Sequence, residues 1–294
     1  IHELDADNVR LFNPNSLVAG SWWAVFAIWF AHVPLGMLPH IGNKLWALDD
    51  PSSRRKFLTI TFVLGVIMPA LALGGLLARA VVGDQLLAPG QNPNNAIPVL
   101  FVTLLPAWAA ALLGAGVLAA VMSTADGLAI SASQIFANDI YRRTLARDQP
   151  AATVDRNALI ISRIATAVIL ILGVAMAWAL RETNIAIIVW LGIGGLTAAL
   201  TGPLVLGAIW SGVTRAAAIA GFLSGAAVFA GASLIAALIS SQQLDYGDWN
   251  IQFLNPFVRA TIGGSASAIV TIGVSFITER LPNSHVARLF SGPS

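Results

Sequence analysis

Ser123 and Thr124 are adjacent hydroxyl residues midway through a long apolar run, and Ala120 precedes them by three and four positions. In a helix, the Ala120 carbonyl and both hydroxyls fall on neighbouring parts of one face. A hard monovalent cation such as sodium needs oxygen ligands in place of its hydration shell. Two hydroxyls and a carbonyl supply about half of such a shell, with no formal negative charge. The rest would have to come from another helix, through carbonyls of an unwound segment. The same hydroxyls can instead bond back to their own helix or across to a neighbour. Both readings stay open on residue types alone.

Asp126 is the one acidic side chain deep inside the same run. A carboxylate within a membrane must face a cavity or a partner, or else carry a proton. It is a candidate second ion ligand or proton site, or an acid at a watery vestibule. Asp139 differs, because Arg142 and Arg143 follow it closely, and an exposed ion pair is expected there. Elsewhere, His32 and His40 flank a cluster of helix breakers, Pro34, Gly36, Pro39 and Gly42. His32 is suited to a solute carboxylate or to titration, and equally to bonding a backbone carbonyl. Asp126 and His32 each stand alone, so no acid–base pair for catalysis is expected.

The elements that must position these residues follow from composition. Of 294 residues, 57% are hydrophobic and 10% charged, against about 25% charged in soluble domains. The mean hydropathy is +0.78, and the apolar residues come in blocks that a soluble fold would have to expose. Lipid is therefore the solvent for most of the chain. A net charge of +2 gives no reason to expect nucleic acid, and the absence of cysteine excludes disulfides and thiolate sites.

Seven spans are expected, over 16–44, 57–82, 106–140, 158–180, 185–210, 216–240 and 260–281. The stretch 97–105 is too short to cross and reads as an interfacial helix. Of the 16 Lys and Arg residues, all but Arg10, Arg79, Arg181 and Arg259 fall on one side of this arrangement. The positive-inside rule makes that side cytoplasmic, with the N-terminus outside and the C-terminus inside. The chain begins at Ile1 with a polar stretch and no signal-peptide pattern. Further spans are expected before it.

Two spans should be broken. The first carries the Pro34–Gly42 cluster. The fifth reads LGIGGLTAALTGP, with Gly192, Gly194, Gly195 and Pro203. Interior prolines remove a backbone bond, and broken helices near the midplane commonly hold solute and coupling ions in secondary carriers. Kinks and close helix packing are the ordinary alternatives.

The run AAVMSTADG (119–127), followed by NDIYRR (138–143), resembles the sodium/solute symporter family, nearest to its proline and pantothenate carriers. Pro39-His40 before a basic loop, IIVWLGIGG and GPLVLGAIW extend the resemblance over about residues 16–275. It implies an all-α membrane protein forming the second half of a five-plus-five inverted-repeat transporter, with two peripheral helices added. Residues 1–15 would be an extracytoplasmic loop, 16–211 the second repeat (core helices six to ten), and 212–294 the peripheral helices and cytoplasmic tail. It also implies that Ala120, through its carbonyl, with Ser123 and Thr124, forms half of a sodium site. Core helix one, in a missing N-terminal half, would supply the other half. Solute contacts are expected around Ala31, His32, Leu35, Gly36 and Pro39, although Ala31 and Leu35 stand where proline carriers have aromatics. Gly192, Gly194, Gly195 and Pro203 would serve gating, and Asp126 a second ion. The function implied is sodium-coupled symport, by alternating access, of a small organic solute such as an amino acid or a monocarboxylate of the pantothenate type across a bacterial inner membrane. The alternatives are a transporter-like sensor and a proton-coupled carrier using Asp126.

Overall fold

The computed structural model describes residues 12, 16, 18, 20–38, 40–42, 47, 48, 50–68, 70, 73–83, 85, 92–181 and 183–290. Among the described residues the secondary structure is helical, without strands. The chain divides into two compact units, residues 1–42 with 185–294, and residues 43–184.

The first unit contains α1 (Trp22–His32), α7 (Ile185–Leu200), α8 (Arg215–Ser240), α9 (Asn250–Leu254), α10 (Pro256–Ile277) and α11 (Asn283–Phe290). Local chemistry sets several starts. Ser21 Oγ accepts from Ala24 N at 3.2 Å, and Thr214 Oγ1 from Ala217 N at 3.2 Å. Asn255 caps α10, where Pro256 occupies the first turn. Ala31, Ala198, Phe229 and Ala260 form the buried core, with Trp190 and Phe257 packed against it. Small residues let the backbones approach, as in other membrane bundles. A Cβ at Gly225 would stand 2.8 Å from Ser267 Cβ, and one at Gly202 2.6 Å from the Ser267 carbonyl oxygen. Ser267 is a polar junction of this interface. Its Oγ accepts from Gly202 N at 3.0 Å and donates to Ala199 O at 3.2 Å. Thr261 Oγ1 ties α10 to α1 through Ala27 O at 2.9 Å.

The second unit contains α2 (Pro51–Ile67), α3 (Leu73–Val82), α4 (Ala96–Leu104), α5 (Ala107–Gln134) and α6 (Ala151–Ala179). Helix α5 continues as a π-helical segment over Ile135–Leu145. Ala78 and Leu100 form a small core with Val82, Ala96 and Val99. Asn157 Nδ2 donates to Tyr141 Oη at 2.9 Å, and Arg142 pairs with Asp155 at 2.5 Å. Asp139 pairs with Arg143 at 3.2 Å, an exposed pair on one helix face, as its sequence neighbours imply.

Asp50 caps α2, accepting from Ser53 N at 2.9 Å and from the Ser52 hydroxyl. The Ser52 hydroxyl first, then the Ser53 N–H, hold its carboxyl below the ordinary value. A depressed carboxylate stabilises the cap while ionised, and that contribution is lost as the pH falls through its folded value. Asp50→Ala is therefore expected to fray the first turn of α2 at neutral pH, measured as faster amide exchange at Ser53. Acidifying the wild type is expected to do the same, after correction for intrinsic exchange.

Five helices are long and apolar enough to cross a membrane: Ala107–Leu145, Ala151–Ala179, Ile185–Ile209, Arg215–Ser240 and Pro256–Ile277. The other two expected spans are interrupted. In the first, α1 stops at His32 and a 3-10 turn covers Leu35–Met37, after which Leu38 is extended. Pro34 has no N–H to continue the helical ladder. In the second, α2 ends at Ile67 and α3 begins at Leu73. Pro69 lies between them in the sequence and has no N–H for the Gly65 carbonyl. The short apolar stretch 97–105 is the separate helix α4.

Candidate functional site

Helix α5 is continuous through Ala120, Ser123, Thr124 and Asp126, and all four are exposed on the chain. Thr124 Oγ1 donates to Ala120 O at 3.2 Å. The hydroxyl and the carbonyl therefore share one strip of helix surface, with the hydroxyl turned back onto its own helix. Ser123 lies on the adjoining strip, and its hydroxyl has no partner among the described residues. Asp126 stands three positions beyond Ser123, a spacing that makes neighbours on a helix. No positive side chain stands among these oxygens in the sequence of α5.

Residues of the broken first span belong to the other compact unit. Ala31 is buried against Ala198, Phe229 and Ala260, so its small size serves packing. His32 is exposed, and its Nδ1 lies 2.6 Å from Ile28 O, one turn back along α1. The ring also stands 4.6 Å from Trp190 and 5.9 Å from Phe257. Trp190 and Phe257 are themselves 4.3 Å apart. Leu35 and Gly36 lie in the 3-10 turn, with open space beside Gly36. Pro39 lies outside the described residues.

The fifth span differs from the expected interruption. Helix α7 passes without a gap into a π-helical segment, Thr201–Leu206, that contains Pro203. The backbone accommodates the proline by a change of winding, a device often found at functional sites. Gly194 and Gly195 do not break the helix. A Cβ at either would meet the Phe229 ring at 3.2 Å, so both are packing positions. Gly192 has open space around it.

Two features escaped the sequence reading. One is the aromatic group of Trp190 and Phe257 around His32. The only sequence signal for it was the lone tryptophan in IIVWLGIGG. The other is the burial of Arg259 near the start of α10, which no local pattern marks.

Residues 4–225 match the sodium:solute symporter family. A sodium/pantothenate symporter of Haemophilus influenzae is 30% identical over 227 residues, which cover 76% of this chain and 44% of that protein. A sodium/proline symporter of Staphylococcus aureus is 30% identical over 201 residues, covering 65% of this chain and 37% of that protein. The chain thus spans less than half the length of either relative. No solved structure gives a significant match.

Proposed function

Because the chain belongs to the sodium:solute symporter family, whose apolar helices make it an integral membrane protein, we propose that it carries a small organic solute together with sodium by alternating access. The solute class is an amino acid or a carboxylate of the pantothenate type. The observation that carries the reading is the Thr124 hydroxyl 3.2 Å from the Ala120 carbonyl on an exposed strip of α5, beside Ser123, within the matched residues. Turning the Thr124 hydroxyl outward would present both oxygens to one cation. Core helix one, from a part of the transporter outside this chain, supplies the remaining ligands.

In this reading α1 to α7 form the second inverted repeat, residues 16–211, and α8 to α11 the peripheral region, residues 212–294. The protein crosses the bilayer seven times here, twice through interrupted helices, with residues 1–15 outside and the tail in the cytoplasm of a bacterial cell. The broken end of α1 around His32, Leu35, Gly36 and Pro39 faces the solute. The segment from Gly192 through Gly194 and Gly195 to Pro203 moves as a gate. No bond is made or broken in the carried molecule, so no enzymatic step is involved.

Uptake by the full-length protein in liposomes tests this. Labelled proline or pantothenate is expected to accumulate under an inward sodium gradient and to stop when potassium replaces sodium. Uptake that ignores sodium and follows a pH gradient would sink sodium coupling and move the role to Asp126.

A further inference from the structure

Arg259 stands in the first turn of α10 and is only 5% exposed. Its buried Nε has no hydrogen-bond partner, and no side chain pairs with the guanidinium among the described residues. The Phe229 ring lies beneath it, 6.0 Å from Cζ to the ring centroid. A ring face is a weak partner for a full charge taken out of water. Removing a charge from water without a counter-charge is strongly unfavourable, so a buried arginine with no acidic partner favours an anion beside it.

Among the described side chains, the surroundings offer donors and no counter-charge. Helices α1, α7, α8, α9 and α10 contain no Asp or Glu. In the loop before α9, Asp245 is already engaged by Gly247 N and Asn250 Nδ2. Ser233 follows Phe229 by one turn on α8, and its Oγ is likewise buried without a partner. Asn255 precedes Arg259 by one turn on α10. Its Oδ1 accepts from Phe257 N and Val258 N, which leaves its amide hydrogens to donate. One turn from Arg259, at Asn255, begins a cavity of about 170 Å³ lined also by Ser16, Ser21 and Gln252, which neither Arg259 nor Ser233 lines.

We propose that Arg259, with the Ser233 hydroxyl, binds the carboxylate of a small monocarboxylic acid at this end of α8 and α10. The planar guanidinium fork presents parallel N–H groups that match two carboxylate oxygens. A single negative charge balances the single positive one. Burial among Phe229 and the small residues of α8 and α10 restricts the ligand to a short acid. The site is separate from the oxygens of α5 and does not require sodium.

The test is thermal unfolding of the full-length protein in neutral detergent, followed by tryptophan fluorescence without sodium. Potassium acetate is titrated against a bulky potassium sulfonate at constant ionic strength. Wild type is expected to show a saturable rise in Tm of about 3–6 °C. R259Q should lose that rise, and R259K, which keeps the charge but not the fork, should need more acetate. S233A should fold and need about tenfold more acetate. The proposal is overturned if wild type shows no acetate-dependent rise, or if R259Q or R259K retains the full response at wild-type acetate. An equal rise with potassium chloride would overturn the carboxylate assignment in favour of small anions generally. Because sodium is absent throughout, a failure here is distinct from a failure of sodium coupling.

Discussion

Thr124→Ala is expected to raise the sodium concentration needed for half-maximal uptake by about 10–100-fold. A hydrogen-bonding oxygen facing a charge contributes about 1.5–3 kcal/mol, and each 1.4 kcal/mol is tenfold in affinity. The fold should not suffer. Thr124 is exposed, and its one hydrogen bond, to Ala120 O, is local to α5. Exposed positions of this kind usually change stability by about 0.5 kcal/mol or less. Thr124→Ser retains the hydroxyl and should keep sodium dependence near the wild-type value. Initial uptake rates measured across a sodium series for the three proteins decide the matter. If the alanine variant matches wild type, Thr124 is not a ligand, and its hydroxyl serves only its own helix.

Gly225→Ala is expected to be a strongly damaging single-methyl change in the first compact unit. The added Cβ would come within 2.8 Å of Ser267 Cβ and would also press on the Ala198 backbone. Neither can give way easily. Ser267 is held between Gly202 N and Ala199 O, and the Ala198 carbonyl belongs to helix α7. The helices must separate instead, and overpacking of this kind costs about 1–3 kcal/mol. A fall in Tm on the order of 5 °C follows. Gly192→Ala provides the contrast. Nothing lies within 4 Å of its added Cβ, and alanine is the better helix former by about 1 kcal/mol. Its Tm should be unchanged or slightly raised. Slower transport by Gly192→Ala at unchanged Tm would place Gly192 in the gating motion. Unchanged transport would remove it from the gate. Should Gly225→Ala unfold at the wild-type temperature, the close approach of α7, α8 and α10 would have to be wrong.

Much of this protein was legible without a structure, because the relevant signals are local. Long apolar runs predict crossings wherever lipid is the solvent, and five of them form uninterrupted helices of spanning length. Pro34 announces the end of α1, and Asn255-Pro256 the start of α10, since capping and the missing proline N–H act within one turn. The AAVMST run places three oxygens on adjoining strips of α5 through helical periodicity alone. What only the tertiary structure decided concerns partners distant in sequence. LGIGG reads equally as a break or as a packing seam, and the Phe229 ring from α8 makes Gly194 and Gly195 a seam. Pro203 could have cut the fifth span, but the backbone absorbs it as a π-helical turn. Arg259 looks in sequence like any arginine near a helix start. Its burial over Phe229, in a unit whose helices α1 and α7 to α11 carry no acid, arises only when α8 and α10 pack together. Periodicity and hydropathy report which way a residue faces relative to its own helix. Whether a neighbour fills that space or satisfies that charge depends on chain segments tens of residues away.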